Sequence, residues 1–421
     1  MNIVDLINKK RLNNELTDDE IRYITSEYMN DNIKDYQMSA LLMAICINDM
    51  TDNEVISLTK YMILSGDTLD LSFLGNVVDK HSTGGIGDKT TLIVGPIVSS
   101  SGVNVCKMSG RGLGYTGGTI DKLESIPGFR SNLSISEIIS QVKNVGFCDV
   151  CQSNNLVPLD KKLYALRDVT GTVNSIPLIA SSIMSKKIAG GSKKIVIDVK
   201  VGRGALVEKL EDARRLANLM IKIGKNFGVK VICVLTNMDI PLGNNVGNMV
   251  EVLEVIDVLK NNKRGYLYDL CIELSSYMIS IGLNISYDEA KEFAIESVDS
   301  GSAYNKFLEF VNAQGGSLDN VGYSLNKYEI KANKSGYLND INALKVGELS
   351  MMLGAGRITL NDNIDYSSGV VINKNLGDYV DANDVIMTLY TKKDLPVIDN
   401  DIFSIEDNKN INYKLIYEVI N

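Results

Sequence analysis

Val77-Val78-Asp79-Lys80-His81-Ser82-Thr83-Gly84-Gly85-Ile86-Gly87-Asp88-Lys89-Thr90-Thr91-Leu92-Ile93-Val94 runs from an apolar pair through a glycine turn into a second apolar segment. The valines suit the end of a strand, and Thr90 to Val98 suits the helix that follows it. Strand, glycine turn and helix form the repeating unit of an α/β domain, in which loop amides and a helix N-terminus converge on an anion. Glycine lets the backbone approach that anion, and the hydroxyls add neutral donors. His81, inside this stretch, is the only histidine in the chain.

A second such stretch follows at Lys107-Met-Ser109-Gly-Arg111-Gly-Leu-Gly-Tyr115-Thr-Gly-Gly-Thr119, and the two together read as one anion cradle. Further along, Lys194 to Val199 and Lys230 to Leu235 are β-branched runs of strand length, separated by a helical pattern from Leu206 to Phe227. Such runs are expected as buried parallel strands. Before the cradle, the first 65 or so residues read as helices, with capping boxes at Thr17 to Glu20 and Thr51 to Glu54. From about Lys331 short strands and turns predict a small β-rich appendage.

The chain has 421 residues, more than one core usually supports, so two or three lobes with a cleft between them are expected. A formal net charge of -9 and a pI near 5.0 argue against nucleic-acid and anionic-membrane partners. No stretch of eighteen apolar residues occurs, and Asp5 and Lys9-Lys10-Arg11 stand where a signal peptide needs its apolar core. A cytoplasmic protein is therefore expected. The six cysteines are scattered, and the lone Cys148-x-x-Cys151 lacks the second pair or histidines of a zinc site, which favours a structural role.

The run Ser109-Gly-Arg-Gly-Leu-Gly-Tyr-Thr-Gly-Gly-Thr119-Ile-Asp121-Lys122-Leu-Glu124 resembles the signature of the thymidine and pyrimidine-nucleoside phosphorylases. The resemblance continues through Asp79 to Gly85, Leu163-Tyr-Ala-Leu-Arg167, Ile183-Met-Ser-Lys186-Lys187 and Leu353-Gly-Ala-Gly-Arg357, covering essentially the whole chain. It implies reversible phosphorolysis, in which phosphate attacks the anomeric carbon of a pyrimidine nucleoside and releases base and pentose 1-phosphate. By resemblance Lys80, Ser82, Thr91, Lys107, Ser109 and Thr119 hold phosphate, while Tyr164, Arg167, Ser182 and Lys186 hold the pyrimidine. His81, Arg167 and Lys186 are then the catalytic group, His81 donating a hydrogen bond or proton near the base O2. Lys187, beside Lys186, is expected at the surface, and Arg203 as a solvated charge near the cleft mouth.

The resemblance also implies the architecture: α/β, with a small all-helical lobe, a large α/β lobe with a central mostly parallel sheet, and a C-terminal α+β, half-barrel-like appendage. Its expected segments are 1–66 (helical), 67–156 (α/β, phosphate), 157–190 (return to the helical lobe, pyrimidine), 191–330 (α/β) and 331–421 (C-terminal, β-rich). With the two substrates on different lobes, catalysis requires hinge closure, with candidate hinges near 66–76, 150–160 and 188–193. A homodimer through the helical lobe is implied, with inorganic phosphate as co-substrate and no organic cofactor.

Lys107 stands where strict thymidine phosphorylases have methionine, so the resemblance favours the broader enzyme acting on uridine, deoxyuridine and thymidine. Some broader enzymes bind potassium, which maps to Gly87, Leu242, Asn245 and Glu254. Lys89 replaces the hydroxyl of that pattern, and an ammonium cannot ligate a cation. Either the Lys89 ammonium replaces the ion and pairs with Glu254, or Lys89 points to solvent and the ion binds through the remaining groups. Alternatives for the whole chain are a strict thymidine phosphorylase, an anthranilate phosphoribosyltransferase-like enzyme and a non-catalytic binding protein. The second of these would need a carboxylate cluster for magnesium that the motifs lack.

Overall fold

The computed structural model describes residues 1–112, 114–153, 155–319, 321–323, 326–357 and 362–421. Four helices open the chain: α1 (Ile3–Arg11), α2 (Asp18–Met29), α3 (Asp35–Asn48) and α4 (Asp52–Leu64). Both expected capping boxes form, Thr17 with Glu20 and Thr51 with Glu54. Glu54 does more than cap, because its carboxylate also takes the buried Lys10 Nζ at 2.8 Å. Leu6, Ile24, Leu41, Leu42 and Met62 pack at the centre of this lobe.

The chain then alternates through β1 (Asp79–Ser82), α5 (Thr90–Ser100), β2 (Val105–Ser109), α6 (Thr119–Glu124), α7 (Ile135–Val145) and β3 (Phe147–Cys151). It next forms α8 (Pro158–Asp168) and α9 (Ile176–Ala189). Leu159, Leu163 and Leu178 of these helices join the core of the helical lobe. Ile179, Ile183 and Met184 of α9 instead pack against the sheet that follows, so one helix serves two cores. The α/β lobe resumes with β4 (Lys194–Val201), α10 (Leu210–Asn226), β5 (Lys230–Asn237), β6 (Asn245–Gly247), α11 (Met249–Leu259), α12 (Tyr266–Leu283), α13 (Tyr287–Asp299) and α14 (Ser302–Ala313).

β1 pairs with β4 and β4 with β5, all parallel, and β2 pairs parallel with β3. A parallel bridge from Val77 to Asn104 joins the two sets, giving the order β3-β2-β1-β4-β5. The order reverses direction between β1 and β4, and open α/β sheets bind ligands beyond the carboxyl ends of the strands at such a point. The first glycine loop leaves the sheet there, and the second leaves the neighbouring strand β2. The strand after Val77-Val78 extends further than the valines predict, so that Asp79, Lys80, His81 and Ser82 are themselves strand residues. Polar side chains are stable in this interior strand because buried partners of opposite charge or hydrogen-bonding capacity meet them.

The C-terminal region comprises β7 (Lys327–Lys331), β8 (Gly336–Ile341), α15 (Ala343–Ser350), β9 (Gly369–Ile372), β10 (Tyr379–Val380), β11 (Val385–Tyr390), β12 (Phe403–Glu406) and β13 (Ile416–Ile420). Its two small sheets run β10-β8-β12 and β6-β9-β11-β7, both antiparallel. β6 thus crosses from the α/β lobe into the C-terminal sheet, while β13 returns to line the edge of β5, antiparallel to it. These exchanges stitch the appendage to the lobe that carries the cradle. No described helix is long and apolar enough to cross a membrane.

Candidate active site

Lys80 and His81 are neighbours on β1, and successive strand residues face opposite sides. Lys80 is 1 % exposed and donates from Nζ to Thr90 Oγ1 at 2.5 Å. Thr90 in turn donates to Asp88 Oδ1 at 2.6 Å, and Asp88 also accepts from Ser82. Burial would raise the Asp88 carboxyl, but the charges of Lys80 and Lys200 and its hydroxyl donors hold it well below the usual range. An ionised Asp88 therefore fixes Ser82 and, through Thr90, Lys80. Thr91 follows in the first turn of α5, buried. Lys200 and Asp198, paired at 2.7 Å on β4, brace the same loop, because Asp198 O accepts from Thr83 N and Lys200 N donates to Thr83 Oγ1.

His81 is half-buried. Burial and the charges of Lys187, Lys107, Lys186 and Lys80 push its imidazole well below the ordinary value. A neutral imidazole carries one N–H donor and one acceptor, so His81 at neutral pH is suited to donate a hydrogen bond rather than a proton.

The second cradle begins on β2. Lys107 lies opposite Asp149 in the parallel register of β2 and β3, and Ser109 lies opposite Cys151. Burial and Lys187 push the Lys107 ammonium down to about 8, while burial pushes Asp149 up to about 6, opposed by Lys107. Beyond β2 the loop folds back on itself, and a Cβ at Gly118 would lie 2.1 Å from Gly112 N, so only glycine fits. Asp121 on α6 ties the crossing, taking Gly112 N at 2.7 Å and the two-pronged Arg357 guanidinium at 2.9 and 3.0 Å. Thr119 opens α6 and is half-buried.

The pyrimidine set lies on α8 and α9. Lys186 Nζ donates to Ser182 Oγ at 2.9 Å and to Asp160 Oδ2 at 2.7 Å, and stands 5.7 Å from the Tyr164 ring centre. The Arg167 guanidinium lies 5.8 Å from the same ring and is held by the carbonyls of Thr172, Val173 and Leu178 at 2.7–3.2 Å. Tyr164, Arg167, Ser182 and Lys186 are therefore brought together. Those carbonyl bonds use three of the five guanidinium N–H groups.

Two expectations are corrected. Lys187 is not at the surface: it is buried and pairs with buried Asp79 at 3.0 Å, because α9 lies against β1 and turns successive lysines to different sides. Arg203 is not merely solvated: its Nε donates to Asp239 O at 3.0 Å and its guanidinium pairs with Asp340 of β8. Gly87, Leu242, Asn245 and Glu254 do converge, and the buried Lys89 side chain lies among them.

Sequence reading passed over Asp79, Asp88, Asp149, Asp160 and the Asp198–Lys200 pair. Asp79 and Asp88 lie inside the first motif and Asp149 inside Cys148-Asp-Val-Cys151, where attention to the cysteines hid it. Their signal is a carboxylate within an otherwise apolar strand or glycine loop. Both cysteines are free thiols on β3 with raised pKa, pushed up by burial, which fits the structural reading.

Residues 4–66 match the helical bundle domain of the glycosyl transferase family, residues 74–304 its a/b domain, and residues 337–399 the pyrimidine nucleoside phosphorylase C-terminal domain. A pyrimidine-nucleoside phosphorylase of Staphylococcus epidermidis is 45% identical over 433 aligned residues, covering 100% of both chains. One of Staphylococcus aureus is 46% identical over 93% of both. Among solved structures, anthranilate phosphoribosyltransferase from Thermus thermophilus has a TM-score of 0.60 at 17% identity, covering 73% of this chain and 98% of that one, a likeness of fold.

Proposed function

The chain belongs to the pyrimidine-nucleoside phosphorylase family, a branch of the glycosyl transferases, and from that premise we propose how its residues divide the reaction. It is a pentosyltransferase. Phosphate binds between the two glycine loops, on Lys80, Ser82, Thr91, Lys107, Ser109 and Thr119. The pyrimidine binds on Tyr164, Arg167, Ser182 and Lys186. The observation that carries this reading is the meeting of the two sets at β1, where Lys80, His81 and Ser82 follow Asp79, and Asp79 pairs with Lys187 of α9, the neighbour of Lys186, at 3.0 Å.

A phosphate oxygen attacks C1′ as the bond from C1′ to N1 breaks, and the electron pair leaves with the base. The proton carried by the attacking hydrogen phosphate ends on the base, so no further reactant is consumed. Charge gathers on the base oxygens in the transition state, where Arg167, Lys186 and the His81 N–H stabilise it more than the ground state. Two substrates held on separate lobes reach attacking distance by closure at 66–76, 150–160 and 188–193, which also excludes water.

The buried Lys107 supports acceptance of uridine as well as deoxyuridine and thymidine. Measuring phosphate-dependent base release from each by ultraviolet absorbance tests this: turnover of uridine comparable with thymidine supports it, and turnover of thymidine and deoxyuridine alone narrows the enzyme to a thymidine phosphorylase. We place the homodimer contact on the helical lobe, where Tyr36, Met43 and Ile47 form one exposed stripe of α3. Six free thiols suit the cytoplasm.

A further inference from the structure

The family resemblance implies a potassium position at Gly87, Leu242, Asn245 and Glu254, and the residues present do not fit the ion. Lys89 Nζ donates to Leu242 O at 2.8 Å, to Asn245 O at 2.8 Å and to Glu254 Oε2 at 2.7 Å. An ammonium has three hydrogens, and each has an acceptor here. The Lys89 side chain is 0% exposed. Gly87 packs against the same cage, since a Cβ there would lie 2.7 Å from Leu242 O. A dissolved cation would need these same oxygens beside a like charge at a buried position, where the repulsion is weakly screened.

We infer that the Lys89 ammonium is the permanent cation of this position, and that the enzyme is built and works without any dissolved monovalent cation. The cage links three segments. Lys89 directly precedes α5 and follows Asp88, the carboxylate that fixes Ser82 and Thr90. Leu242 lies in the segment leading into β6, Asn245 opens β6, and Glu254 belongs to α11. Glu254 also accepts from Asn244 N at 2.8 Å, Asn245 N at 2.9 Å and Lys263 Nζ at 2.7 Å, so both of its oxygens are committed. Glu254, held from four donors, and the tethered ammonium anchor the first phosphate loop whatever the salt composition. Tethering replaces a bimolecular equilibrium with a fixed high effective concentration.

The test needs only the wild-type chain, compared in potassium and in tetramethylammonium at equal ionic strength, by melting temperature and by phosphorolysis rate. The expected result is a rate equal within about 1.5-fold and an unchanged melting temperature, because nothing binds the native state by mass action. A several-fold rise in rate, or a melting temperature that climbs with potassium but not tetramethylammonium, overturns the inference. Lys89→Ser then opens the cage. In that variant melting is expected to become potassium-dependent, and a folded variant indifferent to potassium would also overturn it. Should Lys89→Ser fail to fold, the wild-type comparison decides. Melting reads the cage independently of any nucleoside, so failure of the assigned reaction remains distinguishable.

Discussion

Lys107 and Asp149 are register partners on parallel strands β2 and β3, both buried, with the ammonium pushed down to about 8 and the carboxyl up to about 6. Between those values both are ionised. As pH rises through about 8, Lys107 loses its proton and the phosphate site loses a cation. The kcat/KM for phosphate, which reports the free enzyme, is expected to fall by up to about tenfold per pH unit above that point. Bound dianion favours the protonated amine, so kcat should fall later. A kcat/KM that stays flat to pH 10 would remove Lys107 from the phosphate site.

The chain's single histidine makes His81 directly observable by imidazole NMR. Burial, with the charges of Lys187, Lys107, Lys186 and Lys80, keeps the ring neutral to well below its ordinary value of 6.5. Its signals are expected to be unchanged from pH 8 to 6 in the free enzyme. Added phosphate brings negative charge beside Lys80 and Lys107, which favours imidazolium and moves the titration upward. An ordinary titration near 6.5 without phosphate would contradict the burial of His81 among these lysines.

Lys187→Met should cost about 3–5 kcal/mol in urea denaturation, since it strands buried Asp79 without its partner. Pairing it with Asp79→Asn removes both charges and is expected to recover most of that loss. A single variant as stable as wild type would place Lys187 back in solvent.

Arg357→Lys keeps the charge but loses the two-pronged grip on Asp121 that pins the second glycine loop. The KM for phosphate is expected to rise about tenfold or more, with melting temperature little changed, because small misplacements in a binding loop are expensive in rate. Equal kinetics for variant and wild type would show that the loop holds its shape without Arg357.

Much of the fold was legible where local pattern and tertiary environment agree. The β-branched runs became β4 and β5, Thr90 to Val98 lies within α5, and both capping boxes formed. Of the residues singled out by family likeness, Tyr164, Arg167, Ser182 and Lys186 come together on α8 and α9, and Lys80 and Ser82 share the network of Asp88 and Thr90. What the sequence hid are charge pairs closed over long separations. Asp79 meets Lys187, Lys89 meets Glu254, and Asp121 meets Arg357. Hydropathy assigns each of those groups to the surface, because it contains no information on the partner that compensates its burial. For the same reason the strand carrying Lys80 and His81 could not be drawn beyond Val78.

The most direct test of the assigned chemistry is to incubate the purified chain with uridine, with and without inorganic phosphate, and to follow both free uracil and ribose 1-phosphate. Equal amounts of the two products, formed only when phosphate is present, are the predicted result. Release of uracil at the same rate without phosphate, or no release from uridine, deoxyuridine or thymidine under any condition, would contradict it.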